Sequence, residues 1–312
     1  MSNNKNLHKA KTAKNDEFYT QLTDVEKELR HYREHFEGKV VYCNCDDARE
    51  SNFFKYFSMN FEFLKLKKLV CTGYKKDGHG VVLIYEGDKN GNHMVDDDEI
   101  RVTELEGDGD FRSPECVKLL EEADVVVTNP PFSMLREYIA QLIKYGKKFL
   151  IIGNMNVSTY KEIFPLIKDN KLWLGVNMDD MRFRVPDDYE LKSVRSWREN
   201  GQNWRSIGNA CWYTNLDHDK RHEKLILVES YDPAKYPKYD NYDAINIDNV
   251  NDIPKDYFGV MGVPSTFIRK YCPEQFEIVS FRKGDDGKDL VFTRERERVQ
   301  PYTRILVRRK AV

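Results

Sequence analysis

The 312-residue chain is short of several things, and each shortage excludes a class. No apolar run approaches the roughly 18 residues that a membrane-spanning helix needs, so no span is expected. The start, MSNNKNLHKAKTAK, has no apolar core and does not read as a secretory signal. Cysteine is sparse and badly spaced for metal. Cys43 and Cys45 lie two apart on an expected strand, and Cys71, Cys116, Cys211 and Cys272 stand alone. Without a CxxC pair or a Cys/His quartet, zinc and a disulfide framework both drop out, and a reducing cytoplasm is the simple reading. Internal repeats and low-complexity tracts are lacking. A dominant charge is lacking too, because the formal net charge is −2.

What is present is a charge pattern and an element rhythm. Residues 1–14 carry four Lys and no acid, and residues 282–312 carry ten Lys/Arg against five Asp/Glu. Residues 86–124 carry fourteen acids against four bases. Such a chain can dock on a polyanion through one face only, although solvated surface is the commoner meaning of a charge block. The composition, 40% hydrophobic and 33% charged, fits a soluble globular protein with a sizeable core.

Helix is expected over 23–36, with Thr23 and Glu26 in a capping-box pattern, over 50–64 through Phe53, Phe54, Phe57, Phe61 and Leu64, and from Ser113-Pro114 onward. Two more are expected, one from Ser133 to Gly146 and one over 158–170. Strands are expected over 38–47, 67–74, 100–107, 125–127, 148–154 and 171–176. A hairpin is expected over 81–95 with an Asn90-Gly91 turn. This alternation predicts an α/β fold with a parallel, doubly wound sheet, whose ligands sit at the carboxyl ends of strands near the point where strand order reverses. After 176 the rhythm breaks into polar, Arg-rich sequence. The segment 210–215 reads as one more strand of the first sheet.

The stretch VVVTNPPFS, residues 125–133, asks for an explanation. An Asn at a strand end, followed by two prolines that bring no N–H, builds a stiff pair of acceptors. The Asn129 side-chain oxygen and the Pro130 carbonyl can converge on one amino group. Phe132 supplies a flat face, and Pro131 stiffens the link between them. An aromatic amine such as adenine's is a poor nucleophile, because its lone pair runs into the ring. Two acceptors drawing on its hydrogens release that pair, so that the nitrogen can attack an activated methyl group while Phe132 stacks on the base. A tight turn with Phe132 as core packing is the plain alternative.

Other segments fit the same pocket. In DEFYTQ (16–21), Phe18, Tyr19 and Thr20 can close over a nucleoside and a carboxylate, or serve as a hydrophobic staple. In CNCDD (43–47), Asn44 and Asp46 follow the first strand, and Asp46 competes as a helix cap. In DGDF (108–111), Asp110 can accept from an adenine amine beside the Phe111 ring, or be a turn residue beside core packing.

The words LHKAK, DEFYTQ, YREHF, VVYCNCDD, SNFFKYF, GDGDFRS, VVTNPPFS, YPKYDNYDAI and GVMGVP together resemble the EcoRI modification methylase family of N6-adenine-specific DNA methyltransferases, from about Leu7 to about Gly284. The resemblance implies a Rossmann-like, S-adenosylmethionine-dependent methyltransferase fold over 1–176 with a hairpin insertion at about 75–99, and a DNA target-recognition region over 177–312. It implies a site-specific enzyme that acts as a monomer in a prokaryotic or phage setting. Its substrate is an adenine flipped out of duplex DNA, within restriction-modification. A cognate restriction endonuclease would share the site without a stable complex. A GAATTC-like target is compatible with the resemblance and is not fixed by it.

On this pattern Asn129, Pro130, Pro131 and Phe132 form the catalytic motif. Phe18, Tyr19, Thr20, Asn44, Asp46, Asp110, Phe111 and Asn129 hold the cofactor. The sequence departs from the pattern in two respects: CNCDDAR stands where a D/E-x-G-x-G loop is usual, and the second strand ends without an acid for the cofactor ribose. Phosphate contacts are expected from Lys9, Lys11 and Lys14, and from Arg182, Arg184, Arg195, Arg198 and Arg205, joined by Arg294, Arg296 and Arg298. Trp197 and Trp204 are candidates to fill the gap left by the flipped base, with core packing as the competing role.

Three other classes compete. A glutamine methyltransferase acting on protein uses a similar Asn-Pro-Pro-aromatic word, but normally with the glycine-rich loop. A cytosine-C5 methyltransferase needs a nucleophilic Cys, usually after Pro, and no Pro-Cys dipeptide occurs. A DNA-binding protein without catalysis has no use for the NPPF pocket.

Overall fold

The computed structural model describes residues 18–45, 48–75, 78–178 and 180–311. Residues 1–160 with 175–217 form one compact unit, and residues 161–174 with 218–312 a second. The division expected at 176/177 lies near one of these junctions, but 175–217 folds with the first unit.

The first unit holds strands β1 (Tyr19–Thr20), β2 (Val40–Cys43), β3 (Lys68–Gly73), β4 (Val81–Tyr85), β5 (Ile100–Glu104), β6 (Val125–Thr128) and β7 (Lys148–Asn154). A two-residue strand, β8 (Trp173–Leu174), belongs to the second unit. The first unit resumes with β9 (Met181–Val185), β10 (Ser196–Glu199), β11 (Gln202–Ile207) and β12 (Ala210–Thr214). Its helices are α1 (Leu22–Leu29), α2 (Asn52–Met59), α3 (Pro114–Glu122) and α4 (Leu135–Lys144).

The runs VVYC, KLVCTG, VVVT and KFLIIGN are apolar at successive positions, as strands covered on both faces must be. They form the parallel centre of the main sheet in the order β3-β2-β6-β7. Val41 and Cys43 face a core shared with Val25 and Leu29 of α1 and Phe53 and Phe57 of α2. Tyr42 points the other way, its hydroxyl 2.9 Å from that of Thr72 and its ring beside Cys116 of α3. The sheet is mixed rather than wholly parallel. β4 adds antiparallel to β3, β5 to β4, and β12 to β7. The short link from Gly73 to Val81 permits no crossover, so β4 must turn back.

Three local expectations change. The hairpin does not turn at Asn90-Gly91. Instead β4 and β5 flank a segment over 86–99 in which the Asp88 carboxylate accepts from the Gly91 and His93 N–H groups, and Glu99 from Lys89 and Asn90. These carboxylates satisfy backbone donors that a two-residue turn would leave to cross-strand pairing. The Thr23 box does not form, because α1 begins one residue earlier with Gln21 as an uncapped N-cap. The helix expected over 158–170 shrinks to α5 (Phe164–Lys168), with Pro165 in its first turn. The expected cap at Ser113 forms, accepting from Cys116 N–H, and Ser51 caps α2 by accepting from Phe54 N–H.

A second sheet of the same unit is antiparallel, in the order β1-β9-β11-β10. In the second unit, β13 (Ile245–Asn246), β14 (Val260–Pro264), β15 (Phe276–Phe281) and β18 (Arg304–Arg309) form a sheet ordered β13-β14-β18-β15. The hairpin β16 (Phe292–Arg294) with β17 (Glu297–Val299) stands apart from it.

Candidate active site at the rim of the central sheet

β2 is the first of the parallel strands in the chain, and β3 lies on one side of it while β6 lies on the other. Strand order therefore reverses between β2 and β6, which opens a crevice at their carboxyl ends. Asn44 leaves β2 there and Asn129 leaves β6. The Thr128 hydroxyl donates to the Asn44 carbonyl and ties the two strand ends together.

The Asn129 amide is nearly buried. Its Nδ2 donates to the Phe18 carbonyl at 2.6 Å. That carbonyl needs a donor, so it fixes which way the amide faces, and Oδ1 is left as a buried acceptor with no partner among the described residues. The Pro130 carbonyl accepts no hydrogen bond among the described residues, whereas the Pro131 carbonyl accepts from Met134 N–H. Two free acceptors thus sit in succession on a backbone that carries no N–H at 130 or 131. Phe132 is half-buried rather than interior. Its ring lies 5.5 Å from Phe18 and 6.3 Å from Phe183 between centroids, near edge-to-face with the latter. The ring packs against the edge of the core cluster and stays partly open to solvent.

The described part of the DEFYTQ segment, residues 18–21, is brought to this rim, as the Phe18 contacts show. Tyr19 and Thr20 form the edge strand β1 against β9. Thr20 Oγ1 is a second buried polar atom without a protein partner, and its carbonyl accepts from Asn52 Nδ2 at 2.7 Å. The Tyr19 ring lies under the Arg184 guanidinium at 4.8 Å.

Asn44 is buried, and its Oδ1 accepts from the Tyr138 hydroxyl. Burial pushes that hydroxyl far above its ordinary pKa, so it remains a donor. The Tyr138 ring meets the buried Phe111 edge-to-face at 5.0 Å. Tyr138 therefore joins the CNC turn to the DGDF loop, a role for which the sequence offered only a tyrosine one turn beyond NPPF. DGDF itself is placed by glycine. Gly109 has φ +84°, and a Cβ there would run into the Gly73 carbonyl at the end of β3. Asp110 accepts from Arg112 Nε at 2.9 Å and Nη2 at 2.6 Å. This guanidinium, which the sequence reading passed over, holds the Asp110 carboxyl below the usual aspartate range.

The Arg candidates do not gather into one patch. Directly opposed residues on paired strands share a face. Arg184 opposes Tyr19 and Trp204, Trp204 opposes Trp197, and Arg182 opposes Ser206. Arg205 opposes Phe183, and Arg198 opposes Asn203, on the other face. Arg198 donates to the Gly201 carbonyl of its own turn, and Arg195 lies 3.6 Å from Asp180. Arg294 pairs with Asp248 at 3.2 Å in the second unit. Lys11, Lys14 and Asp46 lie outside the described residues.

Comparison with known proteins adds an independent line. A sequence model of the family described as adenine-specific methyltransferase EcoRI matches residues 6–310. The chain is 54% identical to the Type II methyltransferase M.EcoRI of Escherichia coli, over 98% of this chain and 97% of that one. It is 39% identical to the Type II methyltransferase M.MpnI of Mycoplasma pneumoniae, over 88% of this chain and 84% of that one. It is 38% identical to M.MgeORF184P of Mycoplasma genitalium, over 88% and 85%. No solved structure matches.

Proposed function

The chain belongs to the family of adenine-specific EcoRI methyltransferases, and from that premise we propose that it transfers a methyl group from S-adenosylmethionine to the N6 of an adenine flipped out of duplex DNA. It is a site-specific DNA adenine methyltransferase of the restriction-modification type. The observation that carries the residue assignment is the Asn129 Oδ1, a buried acceptor left open by a hydrogen bond that fixes its own amide.

The crevice suits this donor and this base. A buried acceptor without a partner costs about 1–3 kcal/mol, and Asn129 Oδ1 and Thr20 Oγ1 both have that cost to offset through a ligand. Asn129 Oδ1 and the Pro130 carbonyl each accept one N–H of the adenine amine and turn its nitrogen toward tetrahedral geometry. Phe132 stacks on the base and holds the nitrogen in line. Phe18, through its carbonyl, fixes the Asn129 amide. Tyr19, Thr20, Asn44, Asp46, Asp110 and Phe111 would hold the methyl donor at the β2 and β3 ends, in a Rossmann-like arrangement. S-adenosylmethionine, once bound, would supply an electrophilic methyl on a sulfonium sulfur that keeps the S–C electron pair as the nitrogen takes the methyl. Asn129 Oδ1 and the Pro130 carbonyl would orient the amine while its surplus proton passes to solvent.

Arg and Lys contacts to phosphates would offset the few kcal/mol of flipping, some from the region beyond residue 177. We read the enzyme as a cytoplasmic monomer whose cognate endonuclease acts on the same site without a stable complex. GAATTC is the first target to try.

The test mixes the protein with labelled S-adenosylmethionine and unmethylated duplex DNA, then digests and looks for N6-methyladenine. Asn129→Ala should bind DNA as the parent does and lose roughly a hundredfold or more in methyl transfer, the usual scale for one preorganised polar group. Equal turnover by that variant overturns the assignment. Label recovered on protein glutamine rather than on DNA would favour the protein methyltransferase reading.

A further inference from the structure

Apart from Tyr19 at its edge, the outer face of the antiparallel sheet β1-β9-β11-β10 has no role in the chemistry above. Strand β9, MRFRV, alternates cleanly. Met181, Phe183 and Val185 are buried, while Arg182 is exposed and Arg184 half-exposed. The pairing then sets one continuous row across all four strands: Tyr19, Arg184, Trp204 and Trp197. At about 4.8 Å per strand the row spans about 14 Å. Arg184 lies over Tyr19 at 4.8 Å, and Arg182 over Trp197 at 5.7 Å. Both indoles are half-exposed.

Three acids also reach this face. Glu50 meets Arg184 at 3.3 Å, Glu199 accepts from Trp197 Nε1 at 3.2 Å, and Asp180 accepts from the hydroxyl of Ser206, the residue opposite Arg182, at 2.8 Å. Among the described residues none of the three pairs with Arg182. The row begins at Tyr19, next to the Phe18 carbonyl that fixes the Asn129 amide.

Resting on the methyltransferase reading above, we propose that this face receives the DNA strand that carries the flipped adenine, with Arg182 and Arg184 on its phosphates and Trp204 and Trp197 against its unstacked bases. Flat aromatic rings interleaved with guanidinium groups on an open sheet suit a strand whose stacking has been broken. Guanidinium groups stacked on rings complement a polyanion, and the acids on this face are engaged with Arg184, Trp197 and Ser206, which leaves Arg182 open to a phosphate. Stacking also holds the guanidinium planes in place, so less side-chain freedom is lost when a phosphate arrives.

The test is the affinity of the full-length protein, by fluorescence anisotropy across a salt series, for a labelled duplex that the parent methylates. Arg182→Gln should weaken binding several-fold and lower the salt slope by about one, the signature of one lost phosphate contact. Its S-adenosylmethionine affinity and melting temperature should not move. Trp197→Leu should weaken binding about tenfold at constant slope, and Trp197→Phe should recover most of that. Unchanged affinity and slope in Arg182→Gln and Trp197→Leu overturns the proposal while leaving the active-site reading intact. Loss confined to Arg198→Gln and Arg205→Gln also overturns it, because those side chains share the opposite face. A parent protein that methylates no DNA overturns the active-site reading first, and this proposal with it.

Discussion

The rim of the parallel sheet and the outer face of the antiparallel sheet carry polar groups in opposite states. At the rim, Asn129 Oδ1 and Thr20 Oγ1 are buried and lack protein partners. On the outer face, Arg182 and Trp197 are open to solvent and lie against each other. A buried lone acceptor is a standing cost of about 1–3 kcal/mol, whereas an exposed guanidinium is solvated. The rim therefore keeps its acceptors fixed for a small, shaped group, and the backbone does the fixing. The sheet face leaves its cations on long side chains that can follow a flexible polyanion. One surface is built for geometry and the other for reach.

Changing the kind of atom at the rim should break the comparison most strongly. Asn129→Asp keeps an acceptor where Oδ1 stands but puts a carboxylate oxygen against the Phe18 carbonyl, where Nδ2 now donates at 2.6 Å. Two oxygens repel, so the carboxylate must swing out or take up a proton. Methyl transfer should fall by about a hundredfold or more at neutral pH. It should recover partly in mild acid, as the protonated form can donate to Phe18. A pH-rate profile of the variant that is flat at full activity would show that amide orientation is irrelevant.

A milder change acts one layer back. Tyr138→Phe removes the donor to the buried Asn44 Oδ1 and leaves that acceptor empty. Stability should drop by about 1–3 kcal/mol, read as a lower urea midpoint at unchanged slope. Cofactor affinity should fall with it, because the Asn44 amide proposed to face the methyl donor loses the group that orients it, while the ring contact with Phe111 at 5.0 Å is kept. A variant with the parent's midpoint would mean that water replaces the hydroxyl at no cost.

These two cases also mark what the sequence could and could not say. NPPF was readable because its meaning is local: proline removes donors and fixes the backbone whatever surrounds it. The switch between β2 and β6 was readable in kind from the alternation of strands and helices, and the Gly73-to-Val81 reversal was not. The Arg candidates were named as one group, yet strand register sends Arg182 and Arg184 to one face and Arg198 and Arg205 to the other. Register is set by long-range pairing, and one residue of slip exchanges the faces. Tyr138 and Arg112 escaped notice for the same reason. Each matters through a partner that comes close only on folding, Asn44 at 94 residues' remove in the first case. Arg112 lies two residues from Asp110, but nothing in DGDFR says that the side chains turn toward each other.

The Asp110–Arg112 pair gives a smaller, pH-resolved effect. Arg112 hydrogen bonds hold the Asp110 carboxyl below its ordinary range. The depressed folded value means that the ionised form is favoured by the fold. Its contribution is present above the unfolded pKa and is lost only as pH falls through the lower, folded one. Cofactor binding that uses Asp110 should therefore stay flat through mild acid and weaken only below the usual aspartate range. In Arg112→Ala that limb should move up toward the ordinary aspartate value. Isothermal titration with S-adenosylmethionine across pH checks this, and coincident limbs in the two proteins would remove Asp110 from the binding site.

The smallest effect sharpens the sheet face. Arg184 shares itself between the Tyr19 ring and Glu50 Oε2 at 3.3 Å, and Glu50 is more than half exposed. An exposed pair of this kind is worth about 0–1 kcal/mol, so Glu50→Gln should leave the melting temperature nearly unchanged. It would free Arg184 for a phosphate and remove a nearby negative charge. DNA affinity should rise by about two- to threefold at low salt, with the gain fading as salt screens the charge. The sign matters more than the size. If the outer face meets DNA, deleting an acid there helps binding. If it does not, Glu50→Gln leaves affinity where it was at every salt concentration.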